Sequence, residues 1–208
     1  MENQSAPAEL ASDDYRQRLQ AIYRLVEQHP PQAGTWIRPL LQDRESLVRS
    51  AAIVALGDVA DQDSFAQLVA CLAAPMSHER RNAVQALIAL GDDQMRSPFL
   101  QALAHESNWS VCLAIIKGLS VFAHDEEVID ALIEQLQASD EDVRAAAAVA
   151  LAKMRARAAI PALQNMAKTD TNQETSIHGL WIYNSSVAKM AIVAILSDQP
   201  PSELDWPS

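Results

Sequence analysis

The fold is decided by the segment Leu47-Val48-Arg49-Ser50-Ala51-Ala52-Ile53-Val54-Ala55-Leu56-Gly57. Nearly the same string returns as Val143-Arg144-Ala145-Ala146-Ala147-Ala148-Val149-Ala150-Leu151. With the arginine taken as position zero, looser copies start at Arg18, Arg80, Cys112 and Ala188, so that successive copies are 31, 31, 32, 32 and 44 residues apart. A nearly fixed period of this length is the signature of a repeat protein, and the last spacing contains an insertion.

The copies agree at the positions that a packed helix must bury. Small or aliphatic residues stand three, four and seven places after zero in every copy, as Ala52, Ile53 and Leu56 do in the second one. These offsets share one face of an α-helix, so each copy predicts a helix with the same buried face. Six places after zero, small residues would let neighbouring helices approach closely, and only Arg24 breaks this column. The small residues are Ala55, Ala86, Gly118, Ala150 and Ala194.

A second apolar segment separates successive copies and predicts another helix in each repeat. These segments are Trp36 to Leu41, Phe65 to Leu72, Phe99 to Leu103, Val128 to Leu136 and Ile160 to Met166. We expect Gly57 and Gly91 to cap the C-terminal ends of their helices, and Ser139-x-x-Asp142 to cap the start of the helix around Arg144. The repeat is therefore predicted to be helix, turn, helix.

The predicted fold class is all-α, a right-handed α-α superhelix of about six helical pairs. The composition agrees, because 49% hydrophobic residues with only five Gly and 5% aromatics favour helices and disfavour strands. We expect a solenoid over residues 13–197 with an insertion at 169–186. Flexible tails are expected at residues 1–12 and 198–208 because both are polar and the second contains three prolines.

Composition also excludes several classes of partner. The net charge of −11 repels phosphate backbones and anionic lipids, and no basic patch offsets it, so neither nucleic acid nor a membrane is expected as a partner. No secretory signal, transit peptide or transmembrane segment is recognised, which predicts a cytoplasmic protein. Cys71 and Cys112 lie in apolar helical patterns without metal-ligand spacing and are expected to be inert.

Residues 48–57 read Val-Arg-x-x-Ala-x-x-Ala-Leu-Gly, and the other helix of the repeat reads like Ala159-Ile160-Pro161-Ala162-Leu163. Together these two helices resemble the HEAT-like repeat of the phycobilisome-lyase superfamily. The resemblance covers roughly residues 13–196. It implies a protein-protein interaction adaptor or assembly chaperone. The alternatives it carries are a bilin lyase or chaperone-like subunit acting on phycobiliproteins and, less favoured, a metal enzyme similar to deoxyhypusine hydroxylase.

The resemblance also implies where a partner protein would bind, since the second helices of HEAT repeats line the concave face. On those helices the residues one and five places after zero should meet the partner, and many of them are apolar. Either a partner or strong curvature of the solenoid must cover such a surface. The predicted partner-binding residues on these helices are Tyr23, Val54, Arg81, Gln85, Leu113, Lys117, Val149 and Val193.

The insertion and the C-terminal tail contain further apolar candidates. Trp181 and Tyr183 in the insertion would suit a binding hot spot, or the insertion closes the C-terminal end of the core. Leu204 and Trp206, among acidic residues, form a short docking motif or fold back on the last helix. The residues leave both pairs of alternatives open.

No motif for a catalytic nucleophile, phosphate loop, metal or cofactor is recognised, so no catalytic residue, metal ligand or cofactor is assigned. The pairs His78-Glu79, His105-Glu106 and His124-Asp125 stand at different offsets from zero, which separates them from the regular His-Glu placement of the hydroxylase. The arginines at position zero are interpreted as structural, forming Asp-to-Arg contacts between repeats, with Asp43 and Asp140 as the acidic candidates.

Overall fold

Helices form where the period of the sequence predicts them. The structure is a computed structural model and describes residues 5–169, 174–177 and 180–197. Within these residues the α-helices are α1 (Tyr15–Gln28), α2 (Ala33–Ile37), α3 (Ser46–Asp58), α4 (Phe65–Cys71), α5 (Ser77–Leu90), α6 (Arg96–His105), α7 (Trp109–Leu119), α8 (Glu126–Gln135), α9 (Glu141–Lys153), α10 (Ile160–Thr169) and α11 (Asn184–Leu196). Short 3-10 helices lie at Ala8–Ala11, Arg38–Gln42, Gln62–Ser64, Asp93–Met95 and Arg157–Ala159.

Odd-numbered helices contain the zero positions of the repeats and are named B helices; even-numbered helices are named A helices. The alternation of A and B helices confirms the predicted all-α fold class. The chain divides into two compact units, Met1–Pro98 and Phe99–Ser208, and the boundary falls within α6.

In the first unit the three B helices lie side by side, with α3 between α1 and α5. Helix α4 packs on α5, and the 3-10 helix Arg38–Gln42 packs on α3. The approach of α3 to α5 is so close that a Cβ atom at Gly57 would lie 2.8 Å from the Cα atom of Ala86. A small residue at each of these two positions is therefore a condition of the packing.

In the second unit α9 is the central B helix and lies between α7 and α11. Helix α8 packs on α9, and α10 packs on α11. Each unit thus repeats one motif, a row of B helices with A helices against one side of it.

The core consists of the columns that the period predicts. Residues three, four and seven places after zero are buried in all six B helices, except that Ile192 in α11 is half-buried. The small residues six places after zero are buried too, whereas Arg24 is exposed. The predicted register of the helices is therefore confirmed. The confirmed positions contribute most to stability, because burying a Leu or Ile side chain stabilises the fold by about 1.5–3 kcal/mol.

B helices share one kind of C-terminal end. The residue eleven places after zero adopts a left-handed conformation in four of them, namely His29 (φ 46°), Ala60 (φ 51°), Gly91 (φ 67°) and Arg155 (φ 53°). In α3 the next amide, Asp61 N–H, donates to Leu56 O at 3.0 Å, and in α9 Ala156 N–H donates to Leu151 O at 3.0 Å. These bonds satisfy carbonyls that the helix end would leave unpaired.

Two of the three predicted caps are wrong. Gly91 caps α5 as expected. Gly57 instead lies inside α3, where glycine is needed because Ala86 packs closely against it. The N-cap of α9 is Asp140, whose carboxylate accepts a hydrogen bond from Val143 N–H at 3.1 Å, in place of the predicted Ser139. Asp and Ser are about equally good N-cap residues, so composition could not choose between neighbours.

The insertion departs from the helical pattern that composition favours. Strands β1 (Glu174–Ile177) and β2 (Leu180–Tyr183) form an antiparallel pair in which Thr175 is opposite Ile182 and Ile177 is opposite Leu180. Strand β1 contacts α9, and β2 contacts α11. The local sequence Leu180-Trp181-Ile182-Tyr183 is rich in aromatic and β-branched residues, which favour strands even in a chain whose average composition favours helices.

The two predicted tails have different outcomes. Residues Ala8–Ala11 form a 3-10 helix against α1, within the segment that the sequence assigns to an N-terminal tail. The predicted C-terminal tail at 198–208, with Leu204 and Trp206, lies outside the described residues.

Overpacking tests the register of α9. Ala147 is completely buried, so we expect Ala147→Phe to lower the free energy of unfolding by about 1–3 kcal/mol in urea denaturation. The control is Ala104→Phe in α6, where the alanine is exposed and the change should stay within about 0.5 kcal/mol. Equal effects of the two substitutions would contradict the assigned register.

A pair of substitutions tests the left-handed helix ends. Ala60→Gly should raise the free energy of unfolding by up to about 1 kcal/mol, because glycine adopts positive φ without the cost that a Cβ atom imposes. Gly91→Ala should lower it by a similar amount, and no atom lies within 4 Å of the added Cβ atom to complicate the result. Opposite signs in urea denaturation are the expected outcome; equal signs would contradict the conformational explanation.

Candidate protein-binding face

The residues one and five places after zero on the B helices define a surface that we name the B-helix face. In the first unit its predicted members are all exposed: Tyr23, Val54, Arg81 and Gln85. Tyr23 is 62% exposed and Val54 is 40% exposed. Large apolar side chains with this exposure retain apolar area that a partner could remove from water.

The geometry of this part of the face is set by contacts between neighbouring B helices. Asn82 Nδ2 in α5 donates a hydrogen bond of 2.8 Å to Ser50 Oγ, which lies on the face in α3. Tyr23 borders an open depression on α1, where Arg24 and Glu9 form an ion pair of 2.9 Å. The depression is lined by Glu9, Gln17, Gln20, Tyr23, Arg24 and Glu27. An apolar group flanked by polar ones is typical of protein interaction surfaces.

The second unit presents the predicted residues less uniformly. Lys117 is exposed and Val193 is 62% exposed, whereas Leu113 and Val149 are half-buried. Trp181 and Tyr183 belong to strand β2, which contacts α11, and the structure describes the backbone of this strand. The predicted role of all ten residues in partner binding stays a prediction.

Sequence reasoning missed several exposed apolar residues. Met190 and Leu196 accompany Val193 on α11, and Leu47 and Met76 lie at the starts of α3 and α5. Leu196 stands eight places after zero, the position at which Gly57 packs on Ala86 of the following B helix. No signal in the sequence predicts this exposure, because the column eight places after zero is mixed and contains Val26, Gly57, Ile88, Ser120, Ala152 and Leu196.

The arginines at position zero clamp the turn that precedes their own helix. In each case one Nη1 atom donates to the main-chain carbonyl groups six and five residues earlier. The carbonyl groups and distances are Ser12 and Asp13 for Arg18 (2.7 and 3.2 Å), Asp43 and Arg44 for Arg49 (2.8 and 3.2 Å), Ala74 and Pro75 for Arg80 (2.9 and 3.1 Å), and Ala138 and Ser139 for Arg144 (2.7 and 2.9 Å). A charged donor to two carbonyls is a strong way to hold a turn.

Arg18 and Arg49 also reach an acid of the next repeat. Arg18 donates from Nε and Nη2 to the two carboxylate oxygens of Asp43, both at 2.7 Å, and both side chains are buried. Arg49 Nη2 lies 2.8 Å from Glu79 Oε1, which is also buried. The predicted contact between repeats is thus present at Asp43, while Asp140 caps α9 and the second acid is Glu79.

Burial and hydrogen bonding act in opposite directions on Asp43. Burial alone would raise the pKa of this carboxyl, but the hydrogen bonds from Arg18 and from Glu45 N–H hold the pKa below its usual value. The folded chain therefore favours the charged pair at neutral pH.

Neither cysteine has the environment of a reactive thiol. Cys112 replaces the arginine at position zero, and its Sγ atom lies 3.7 Å from Glu106 O, the carbonyl six residues earlier. Burial raises the pKa of Cys112 to about 11 and also raises the pKa of Cys71. Both thiols are therefore protonated at neutral pH, which makes them poor nucleophiles.

The acids of the three His-acid pairs have structural partners. Glu79 pairs with Arg49, and Asp125 caps α8 by accepting from Val128 N–H. The histidines His78, His105 and His124 are exposed. Among the residues that the structure describes, no group of three or more His, Cys, Asp or Glu side chains is placed to hold a metal ion.

Stacked helix pairs with repeating core columns and an exposed B-helix face define an α-helical repeat protein. The family model for HEAT repeats matches residues 7–88 and 96–180, so the chain belongs to the HEAT-repeat family. This confirms the recognition of the repeat from the sequence. No curated protein matches the chain significantly.

Solved structures resemble this chain at low sequence identity. An engineered protein is 21% identical with a TM-score of 0.56, and the match covers 89% of this chain and 93% of that one. The complex of CpcE and CpcF of phycocyanin lyase from Nostoc sp. PCC7120 is 16% identical (TM-score 0.44; 94% and 97% covered). Human deoxyhypusine hydroxylase in complex with glycerol is 17% identical (TM-score 0.37; 89% and 81% covered).

The first of these likenesses shows the fold. In the part of the chain that the structure describes, no helix has the length and apolar character to span a membrane.

The ion pair between Arg18 and Asp43 gives a pH-dependent prediction. Asp43→Ala leaves a buried guanidinium without its carboxylate and should lower the free energy of unfolding at pH 7 by about 3–5 kcal/mol in urea denaturation. The matched control is Asp13→Ala, because Asp13 is fully exposed and lies 3.8 Å from Arg44; a change below about 1 kcal/mol is expected.

The sign of the pH effect follows from the lowered pKa of Asp43. A carboxyl with a lowered pKa in the folded chain stabilises above its unfolded value of about 4, and this stabilisation is lost as pH falls through the folded value. The difference between the natural chain and Asp43→Ala should therefore shrink on acidification below about pH 4. A difference that stays constant down to pH 2 would contradict the pairing.

Proposed function

We propose that this HEAT-repeat chain is a protein-binding adaptor or assembly chaperone that holds a partner protein against its B-helix face. The observation that carries the proposal is the exposure of Tyr23 and Val54 at equivalent positions of adjacent helices in the first unit. These positions belong to a column that the repeat keeps on one side of the helix row. A periodic apolar surface of this kind needs a cover, and a protein partner supplies one.

The residue types support binding of a protein. Tyr23 offers an apolar ring with a polar end, and Arg81 adds a positive charge to the same face. Tyrosine and arginine are enriched among the residues that dominate binding energy at protein interfaces. The predicted members of the face in the first unit include Arg81 and no acidic residue, although the chain as a whole has a net charge of −11, so this face favours an apolar segment over a strongly basic one.

One pair of valine substitutions tests the proposal. Val54→Asp places a charge on the B-helix face, and we expect it to weaken partner capture at least about tenfold, which corresponds to about 1.4 kcal/mol. The matched control is Val121→Asp, because Val121 is 64% exposed but lies beyond the end of α7 and off the face. The measurement compares the proteins that the immobilised natural chain and the two variants retain from source-cell extract, using quantitative mass spectrometry.

The expected result is a set of proteins retained by the natural chain and by Val121→Asp and lost with Val54→Asp. Circular dichroism and the melting temperature should be the same for all three chains. Retention that does not distinguish the two variants would contradict the assignment of the face, and loss of helicity in Val54→Asp would show that Val54 belongs to the core.

A further inference from the structure

The central B helices of the two units occupy equivalent positions but differ in burial. Helix α3 lies between α1 and α5, and α9 lies between α7 and α11, so each has a B helix on both sides. Val54 in α3 and Val149 in α9 are the same residue type five places after zero, yet Val54 is 40% exposed and Val149 is half-buried. The B-helix face is therefore more buried on α9 than on α3 at this position.

The extra burial extends along the first half of α9. One place after zero, Ser50 in α3 is half-buried while Ala145 in α9 is only 5% exposed. Both positions of the B-helix face on α9 are thus more buried than their counterparts on α3.

Strand β1 of the insertion contacts α9 and is an element that the first unit lacks. The connection from α8 to α9 consists of residues 136–140, whereas the connection from α10 to α11 runs from residue 170 to residue 183 and contains the hairpin. Pairing of Thr175 with Ile182 and of Ile177 with Leu180 puts these four residues on one face of the hairpin.

We infer that the hairpin β1–β2 is an intramolecular ligand of the B-helix face, occupying on α9 the surface that the first unit offers to a partner. The hairpin also defines the chemistry that the face accepts, an extended segment with aliphatic residues at alternate positions. The inference deepens the proposed function and rests on it. The insertion is then neither a hot spot for a partner nor a cap on the end of the core. Its role is to cover the B-helix face of α9 from within the same chain.

Hydrogen exchange on the full chain tests the inference directly. In the natural chain the amides of β1 and β2 should be protected. Val149→Asp, which places a charge under the hairpin, should abolish this protection while α10 and α11 stay protected. The matched control is Val54→Asp, the same substitution at the equivalent position of α3, and it should leave the hairpin protected.

A second variant covers the case in which Val149→Asp unfolds α9. Residues 170–183 are replaced by a copy of the shorter connection Leu136-Gln137-Ala138-Ser139-Asp140, which joins an A helix to a B helix in the same unit. A fluorescently labelled peptide of residues 174–183 should bind this variant and should bind the full chain at least about tenfold more weakly. Ile177→Asp together with Ile182→Asp in the peptide should abolish binding, whereas Ser176→Asp, on the opposite face of the hairpin, should not.

Unchanged hairpin protection in a folded Val149→Asp chain would overturn the inference. So would a folded replacement variant that does not bind the peptide, or a peptide that binds the full chain equally well. None of these outcomes depends on partner capture by Val54, so failure of the hairpin role and failure of the proposed function are separable.

Discussion

Close approach of neighbouring B helices is the constraint on which the rest of the structure depends. Ala or Gly at the small column allows contacts such as Gly57 against Ala86, where even one added methyl group has no room. This contact fixes which faces of α3 and α5 turn inward, and the positions five places after zero, Val54 and Gln85, then remain outside. The exposed apolar face is thus a geometric result of the same repeat that builds the core.

Much of the fold could be predicted from the sequence because the same buried positions recur in every copy of the repeat. Each column is an independent observation of one helical face, so the register of α3 or α9 did not depend on a single residue. Helix ends were less predictable because chemically similar residues compete for one role. Gly57 serves packing, while His29, Ala60 and Arg155 occupy left-handed turns that sequence patterns assign to glycine.

The candidate site could be predicted only in part, since burial depends on what lies above a helix as well as on its own sequence. Tyr23, Val54, Arg81 and Gln85 are exposed as their offsets predict, but Val149 is half-buried, and it lies on α9, the helix that the hairpin strand β1 contacts. The insertion occurs in one repeat, so no recurring pattern of residues predicts where it packs. The acid partner of Arg49 was missed for a similar reason, as Glu79 stands at a different offset from Asp43.

The arginine clamp recognises the main chain and not side chains. The turns that it holds, Ser12-Asp13, Asp43-Arg44, Ala74-Pro75 and Ala138-Ser139, have no chemistry in common beyond their carbonyl groups. The arginine contacts therefore do not depend on the side chains of Ala74, Pro75, Ala138 and Ser139, whereas Ser12 Oγ accepts from Asp14 N–H and Arg44 donates to Asp13 O in the other two turns. A protein engineer could rewrite Ala74-Pro75 and Ala138-Ser139 to alter surface charge or to attach a label while the arginine still holds both turns, and natural drift can alter them under the same freedom.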